Sequence, residues 1–309
     1  KDILNVATNL RFAFDEPFAD QSQLAMLFLC DKVRNEGDLK VALSGDGGDE
    51  LFCGYNRYTK GYDLYKTLQN NHLLRKSLLI LQITPFELVD KILHSFPRKI
   101  RMSATRNLAF KLRKVLNCKN LESYYETLIS RDNKNVIKDK LLINKLRNDL
   151  IKNISNILTE FEDKDPRTKL MIIDEKIYLP NDILVKSDRS SMNFGLEVRS
   201  PFLEPNIHNW CRTKGEKMQY SQNKSKYVLK KLLAKNIPNY KFDRPKMGFG
   251  VPLDHWLRTC LKDWAENIIF SKNLRNDPII NYSILLKKWE NHLKGQSQGL
   301  SLWPIIIYG

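Results

Sequence analysis

The sequence predicts an α/β protein whose larger, C-terminal part is helical. Two observations carry this reading. Residues 39–43, Leu-Lys-Val-Ala-Leu, form a short apolar run suited to a strand, and it stops in a glycine-rich turn with helical spacing beyond it. From about residue 60 onward, apolar residues recur at i, i+3 and i+4, the period of helices with one buried face.

Taken in order, residues 1–37 read as helix or loop. The stretch from Gln23 through Arg34 is a largely buried helix that ends near Gly37. The strand at 39–43 leads into Ser44-Gly45-Asp46-Gly47-Gly48-Asp49-Glu50. Helices are expected over 60–83, 105–116, 121–129 and 135–159. Another is expected over 166–178, with Asp165 as its N-cap and Pro166 at its first position. Pro180-Asn181-Asp182 should break the chain and open a helix reaching about Met192. Later helices are expected near 226–235, 255–270 and 282–293. One strand is placed firmly and a second at most. A parallel sheet needs several strands with crossovers, so this one reads as incomplete, its other strands expected before Lys1.

Composition narrows the function classes. The 309 residues are 42% hydrophobic and 28% charged, ordinary values for a globular chain with a sizeable core. No apolar run is long enough to span a membrane. The five cysteines are scattered and include no C-x-x-C pair, which disfavours a zinc site or a disulfide framework and suits a reducing cytoplasm. The formal net charge is +16. Its even spread reads as solvated lysines on helix surfaces. RNA binding is the sharper alternative, and no zinc-finger, RRM-like or basic-zipper pattern supports it. Some of the charge could instead meet a polyphosphate.

The turn at 44–50 is the strongest chemical signal. Three glycines permit tight turns and close approach of backbone to a ligand, while Asp46, Asp49 and Glu50 lie within five positions. Backbone N–H groups at a helix start suit phosphate, and carboxylates can hold Mg²⁺ between phosphate oxygens. An acidic turn that merely caps a helix at Asp46 or Asp49 fits the composition equally well. The pattern is neither a Walker loop nor G-x-G-x-x-G. Further on, Asp182, Lys186 and Arg189 share one helix face. That face suits an acidic substrate, a structural salt-bridge set or solvent. Asp243-Arg244-Pro245-Lys246-Met247-Gly248-Phe249-Gly250 places a lysine on a restricted backbone, where its ammonium could be aimed or could simply lie at the surface.

These segments together resemble the asparagine synthetase family. Residues 44–55 are similar to its S-G-[DE]-G-x-D-E-[LV]-F-G-G-Y signature, with Cys53 in place of a glycine. Residues 178–192 resemble Y-L-P-D-D-I-L-x-K-x-D-R-x-S-M, and 196–204 resemble L-E-x-R-x-P-F-L-D. Residues 244–253 resemble R-P-K-x-G-F-G-V-P-L, and 15–20 resemble D-E-P-F-A-D. The resemblance implies one partial ATP-dependent synthetase domain over 1–309, built on an adenine-nucleotide-hydrolase-like (ATP pyrophosphatase) parallel sheet. It also implies the reaction. The aspartate side-chain carboxylate is adenylated to β-aspartyl-AMP, and ammonia derived from glutamine then displaces AMP. The implied cofactors are ATP and Mg²⁺.

Roles follow residue by residue. Ser44, Gly45 and Gly47 would lie against ATP, Asp46 would support acyl-adenylate formation, and Asp49 would bind Mg²⁺. Lys246 would neutralise charge developing on the α-phosphate and carbonyl oxygen. Lys186 would meet pyrophosphate or the substrate carboxylate, and Asp182 the aspartate ammonium or Lys186 itself. The family's S-G-G-x-D-S pyrophosphate loop and its N-terminal glutaminase domain do not occur in the 309 residues. Both are expected upstream in a longer chain, and the isolated piece is expected to be inactive. No nucleic-acid or membrane partner is expected, and a homodimer is compatible with the sequence. A related amide synthetase acting on another carboxylate, such as a sugar uronate, would carry the same motifs.

Overall fold

The computed structural model describes residues 2–71, 73, 75–76, 115–130, 135–213, 220–221, 224–238 and 250–309. Along the chain these form α1 (Asp2–Ala13), α2 (Ser22–Asp31), β1 (Val41–Leu43), α3 (Gly48–Leu51), α4 (Lys60–Asn70), α5 (Leu121–Ile129), α6 (Lys140–Glu160) and α7 (Pro166–Ile173). A π-helical segment (Asp174–Ile183) precedes α8 (Leu184–Met192), β2 (Glu197–Arg199), a 3₁₀ turn (Pro201–Leu203) and α9 (Pro205–Thr213). Then come β3 (Tyr220–Ser221), β4 (Lys224–Ser225), α10 (Tyr227–Asn236), α11 (Leu253–Arg258), α12 (Lys262–Ile269), α13 (Lys272–Asn276), α14 (Tyr282–Leu293) and α15 (Gly299–Tyr308). The chain is thus mostly helical with a small parallel sheet.

It divides into two compact units. The first comprises Lys1–Phe52, Arg131–Asn148 and Asp174–Gly309. Its sheet, among the described residues, is β1 paired in parallel with β2, Ala42 opposite Val198. The ladder continues through the bonds from Glu197 N–H to Lys40 O and from Ser44 N–H to Arg199 O, each 2.8 Å. The expected strand is real but shorter, and Val41 and Leu43 are exposed. The core of this unit joins the N-terminal helices to the C-terminal ones. Leu10, Phe14, Leu24 and Leu27 meet Leu257, Ile269, Trp289 and Trp303.

The second unit comprises Cys53–Ser130 and Asp149–Ile173. Its buried residues mix tyrosines with aliphatics such as Leu68, Leu116, Ile154 and Leu170; Tyr65 stacks on Tyr124 with centroids 4.7 Å apart, and the Tyr124 hydroxyl donates to Arg57 O. Asp165 caps α7 as its sequence predicts, accepting from Arg167 N–H and Thr168 N–H at 3.1 Å each.

Three expectations need correction. Pro180 does not break the chain: it sits inside the π-helical segment, which passes directly into α8. A wider turn bonds i to i+5, so the usual clash of proline with the preceding turn is relieved. The helix expected over 255–270 is two helices, broken at 259–261. The helix expected from 135 starts at Lys140, because Ile137 makes a β-bridge with Ile280 and Asp139 accepts from Leu142 N–H at 2.9 Å. Most of 60–83 beyond Asn70, and nearly all of 105–116, lie outside the described residues.

Candidate functional site

Because β1 and β2 are parallel, both end at the same edge. There the chain leaves β1 through Ser44–Gly47 into α3 and leaves β2 through the 3₁₀ turn Pro201–Leu203. The carboxyl edge of parallel strands is where ligands bind in open α/β sheets. Two glycines make this junction possible. Gly47 has φ +82°, and a Cβ on it would lie 2.4 Å from Leu203 Cδ2. A Cβ on Gly48 would lie 3.1 Å from the Phe202 ring. The Pro-Phe-Leu of one motif therefore packs on the glycines of another. Gly45 differs, since among the described residues nothing stands within 4 Å of where its Cβ would be. Backbone is open to approach there.

The acidic groups of the turn have distinct surroundings. Asp46 N–H donates to Ser44 Oγ at 3.0 Å, closing a local turn. One carboxylate oxygen of Asp46, Oδ2, is buried with no hydrogen-bond partner among the described residues. A buried acceptor left without a donor is costly, and a water, a ligand or an ion can satisfy it. Asp49 Oδ1 lies 3.0 Å from Lys226 Nζ. Glu50 is buried. The family's glycine at position 53 also has an explanation. Cys53 takes φ 56°, a left-handed conformation that glycine adopts without strain. Burial pushes its thiol up to about 12, which disfavours the thiolate.

The second charged motif is built differently. Lys186 Nζ is 2.6 Å from Asp20 Oδ2 and 3.4 Å from Asp182 Oδ1, with its side chain 8% exposed. Asp20 also accepts from Ser22 N–H at 3.1 Å and from the Ser22 hydroxyl. Burial itself raises the Asp20 carboxyl, but the Lys186 charge and these hydrogen bonds outweigh it and hold the group below the usual carboxylate range. Three residues on, Arg189 pairs with Asp15 at 2.6 Å. The Asp-Glu-Pro-Phe-Ala-Asp segment thus clamps α8 through two ion pairs while α8 lies along α2. A cavity of about 300 Å³ separates α8 from β2, lined by Ser187, Asp188, Ser191, Glu197 and Ser200 among others.

The structure brings together Ser44, Gly45, Asp46, Gly47 and Asp49 at the sheet edge, and Asp182 with Lys186 on α8. Lys246 lies outside the described residues. Lys226 is a site residue that the sequence reading missed. It lies in a lysine-rich stretch with no motif of its own. Among the described residues no group of three or more His, Cys, Asp or Glu forms a metal cage. The donors present suit Mg²⁺ as it usually binds with nucleotides, through one or two carboxylates, waters and phosphate oxygens. No helix among the described residues is long and apolar enough to cross a membrane.

The profile of the family described as asparagine synthase matches residues 1–307. The asparagine synthetase [glutamine-hydrolyzing] 1 of Bacillus subtilis (strain 168) is 24% identical over all of this chain and 45% of its own length. The putative asparagine synthetase [glutamine-hydrolyzing] of Mycobacterium bovis is 27% identical over 95% of this chain and 42% of its own. The chain thus spans less than half the length of these relatives. No solved structure matches it.

Proposed function

This chain belongs to the asparagine synthase family, and on that premise we propose that it carries the ATP-dependent half of asparagine synthesis. The observation that carries the reading is the acidic glycine turn at the carboxyl edge of β1 and β2, open at Gly45 and holding an Asp46 oxygen unpartnered among the described residues. A carboxylate is a poor electrophile, since direct attack by ammonia would expel oxide. In the proposed sequence an oxygen of the aspartate side chain bonds to the α-phosphorus of ATP and pyrophosphate leaves. Ammonia then attacks the acyl carbon, AMP leaves, and a proton is lost from nitrogen. The protein's task is to position reactants and stabilise developing charge.

Ser44, Gly45 and Gly47 supply the backbone beside which the nucleotide lies. Asp46 supports the acyl transfer, and Asp49 faces the place of the metal. Bound Mg²⁺ would neutralise charge between phosphate oxygens. Lys246 is assigned to the α-phosphate and the carbonyl oxygen. For Lys186 and Asp182 the geometry supports a different role from ligand contact: their charges are engaged with each other and with Asp20, so they brace α8 beside the sheet. The names of the relatives support an upstream glutaminase as the source of ammonia in the whole protein.

The test is exchange of labelled pyrophosphate into ATP by the whole protein. Exchange that depends on aspartate and Mg²⁺ is expected. Exchange driven instead by another carboxylate, such as a sugar uronate, would change the acceptor and keep the adenylation. Absence of exchange with every carboxylate, together with salt-sensitive RNA binding, would overturn the reading.

A further inference from the structure

Lys226 carries an inference that sequence patterns do not suggest. It is one of three non-glycine residues with positive φ among the described residues, at φ 53° and ψ 36°. Such a conformation costs about 1–2 kcal/mol for a residue with a Cβ. It is also the N-cap of α10, where Ser, Thr, Asp or Asn is favoured and a cation faces the unfavourable end of the helix dipole. Backbone and charge both run against local preference, so tertiary contacts hold them.

Those contacts converge on one short turn. The Lys226 N–H donates to Phe52 O at 3.0 Å, and its Nζ lies 3.0 Å from Asp49 Oδ1. The two acceptors are three residues apart, at the end of the acidic glycine turn. The side chains are 33% and 23% exposed, so the ion pair sits at the edge of solvent, where an incoming ion can reach it.

We propose that Lys226 is the resident counter-ion of Asp49, a positioning residue that a divalent cation must displace from the carboxylate. This rests on the reading of Asp49 as the metal-facing group. An oxygen that accepts an ammonium proton at 3.0 Å cannot also take a cation at about 2.1 Å without bringing two positive charges together. Lys226 is tethered, so it competes at a high effective concentration. A metal arriving alone therefore binds poorly. A metal arriving with phosphates offers the released ammonium a new anionic partner. The pair would select metal-polyphosphate over free metal.

The test is titration with Mn²⁺ alone, followed by electron paramagnetic resonance, with no nucleotide or aspartate present. Lys226→Met should bind Mn²⁺ at least about tenfold more tightly than the wild type, since unit charges about 4 Å apart repel by ~1 kcal/mol even in bulk water and a divalent ion doubles this. Lys226→Arg should stay as weak as the wild type. The gain should vanish when Asp49→Asn is added. Lys226→Gly keeps the left-handed backbone and also removes the ammonium, so it should match Lys226→Met. Equal Mn²⁺ affinity in wild type and Lys226→Met overturns the proposal, as does a gain that survives Asp49→Asn or the absence of Mn²⁺ binding in every variant. Loss of folding in both ammonium-free variants would also overturn it, because it would make Lys226 a structural residue. The titration is independent of the exchange assay, so failure of aspartate adenylation and failure of this inference are separable.

Discussion

The acidic turn at 44–50 and the charged face of α8 are both motifs rich in charge, and the fold treats them in opposite ways. On α8, Lys186 is buried among two carboxylates and Arg189 is answered by Asp15. In the turn, among the described residues, Asp46 keeps a buried oxygen without a partner, Gly45 faces open space and Asp49 meets its lysine near solvent. One set of charges is closed by the protein itself, and the other is left for something to arrive. A charged helix face that carries both signs can close on itself and its neighbours, whereas a turn that carries only carboxylates needs cations from elsewhere.

The sharpest way to break this contrast is Lys186→Ala. If α8 is braced, removing the buried ammonium takes from Asp20 the cation it pairs with and should cost about 3–5 kcal/mol of stability, read from urea unfolding. Activity lost at unchanged stability would instead make the α8 face a ligand site. A pH series tests the same pair. The folded-state pKa of Asp20 is depressed, so its contribution is present above the unfolded pKa and is lost as pH falls through the folded value. Wild-type stability should therefore drop more steeply with acid than that of Asp20→Asn.

Next in size is Lys246→Ala in the whole protein. It should lower kcat about 100-fold or more, near 3 kcal/mol, with little change in KM for ATP. Lys246→Arg should recover little, because a planar guanidinium places its charge differently. A change confined to KM would make Lys246 a ground-state phosphate contact. Asp49 does not cap its helix, since Gly47 holds the N-cap position with no side-chain bond, so Asp49→Asn separates metal binding from the ion pair with Lys226. Activity should fall by orders of magnitude at nearly constant melting temperature, whereas a residue that serves only the ion pair with Lys226 would lose stability and keep activity.

Gly47→Ala probes the junction itself. The positive φ and the approach of Leu203 predict a loss of about 1–3 kcal/mol in stability, measured by thermal unfolding, with activity falling alongside it. Smallest should be Cys53→Gly, where relief of left-handed strain and loss of a buried side chain oppose each other. The net change should stay within about 1 kcal/mol by the same measurement.

Local patterns were legible wherever the cause was local. The helix Leu121–Ile129, the helix Tyr282–Leu293 and the Asp165 cap follow from spacing and capping residues beside them. The turn glycines were legible as glycines, since a left-handed φ and a close approach exclude side chains. The break at 259–261 was not, because Leu253, Leu257, Leu261, Ala265 and Ile269 keep a four-residue spacing across it and are all buried. The terminal helix Gly299–Tyr308 was missed as well: Leu302, Trp303, Ile305 and Ile306 are all buried, so no polar face marks it, and Pro304 argues against it.

By itself, then, the sequence determined the segments, their chemistry and the family they resemble, because glycine, proline and capping requirements act on neighbouring residues. Only the tertiary structure decided which charges face one another. Asp20 reaches Lys186 across 166 positions, and Lys226 reaches Asp49 from beyond β2, far along the chain. An ion pair depends on distance in space and on exclusion of water, and neither quantity is written in the order of residues along the chain.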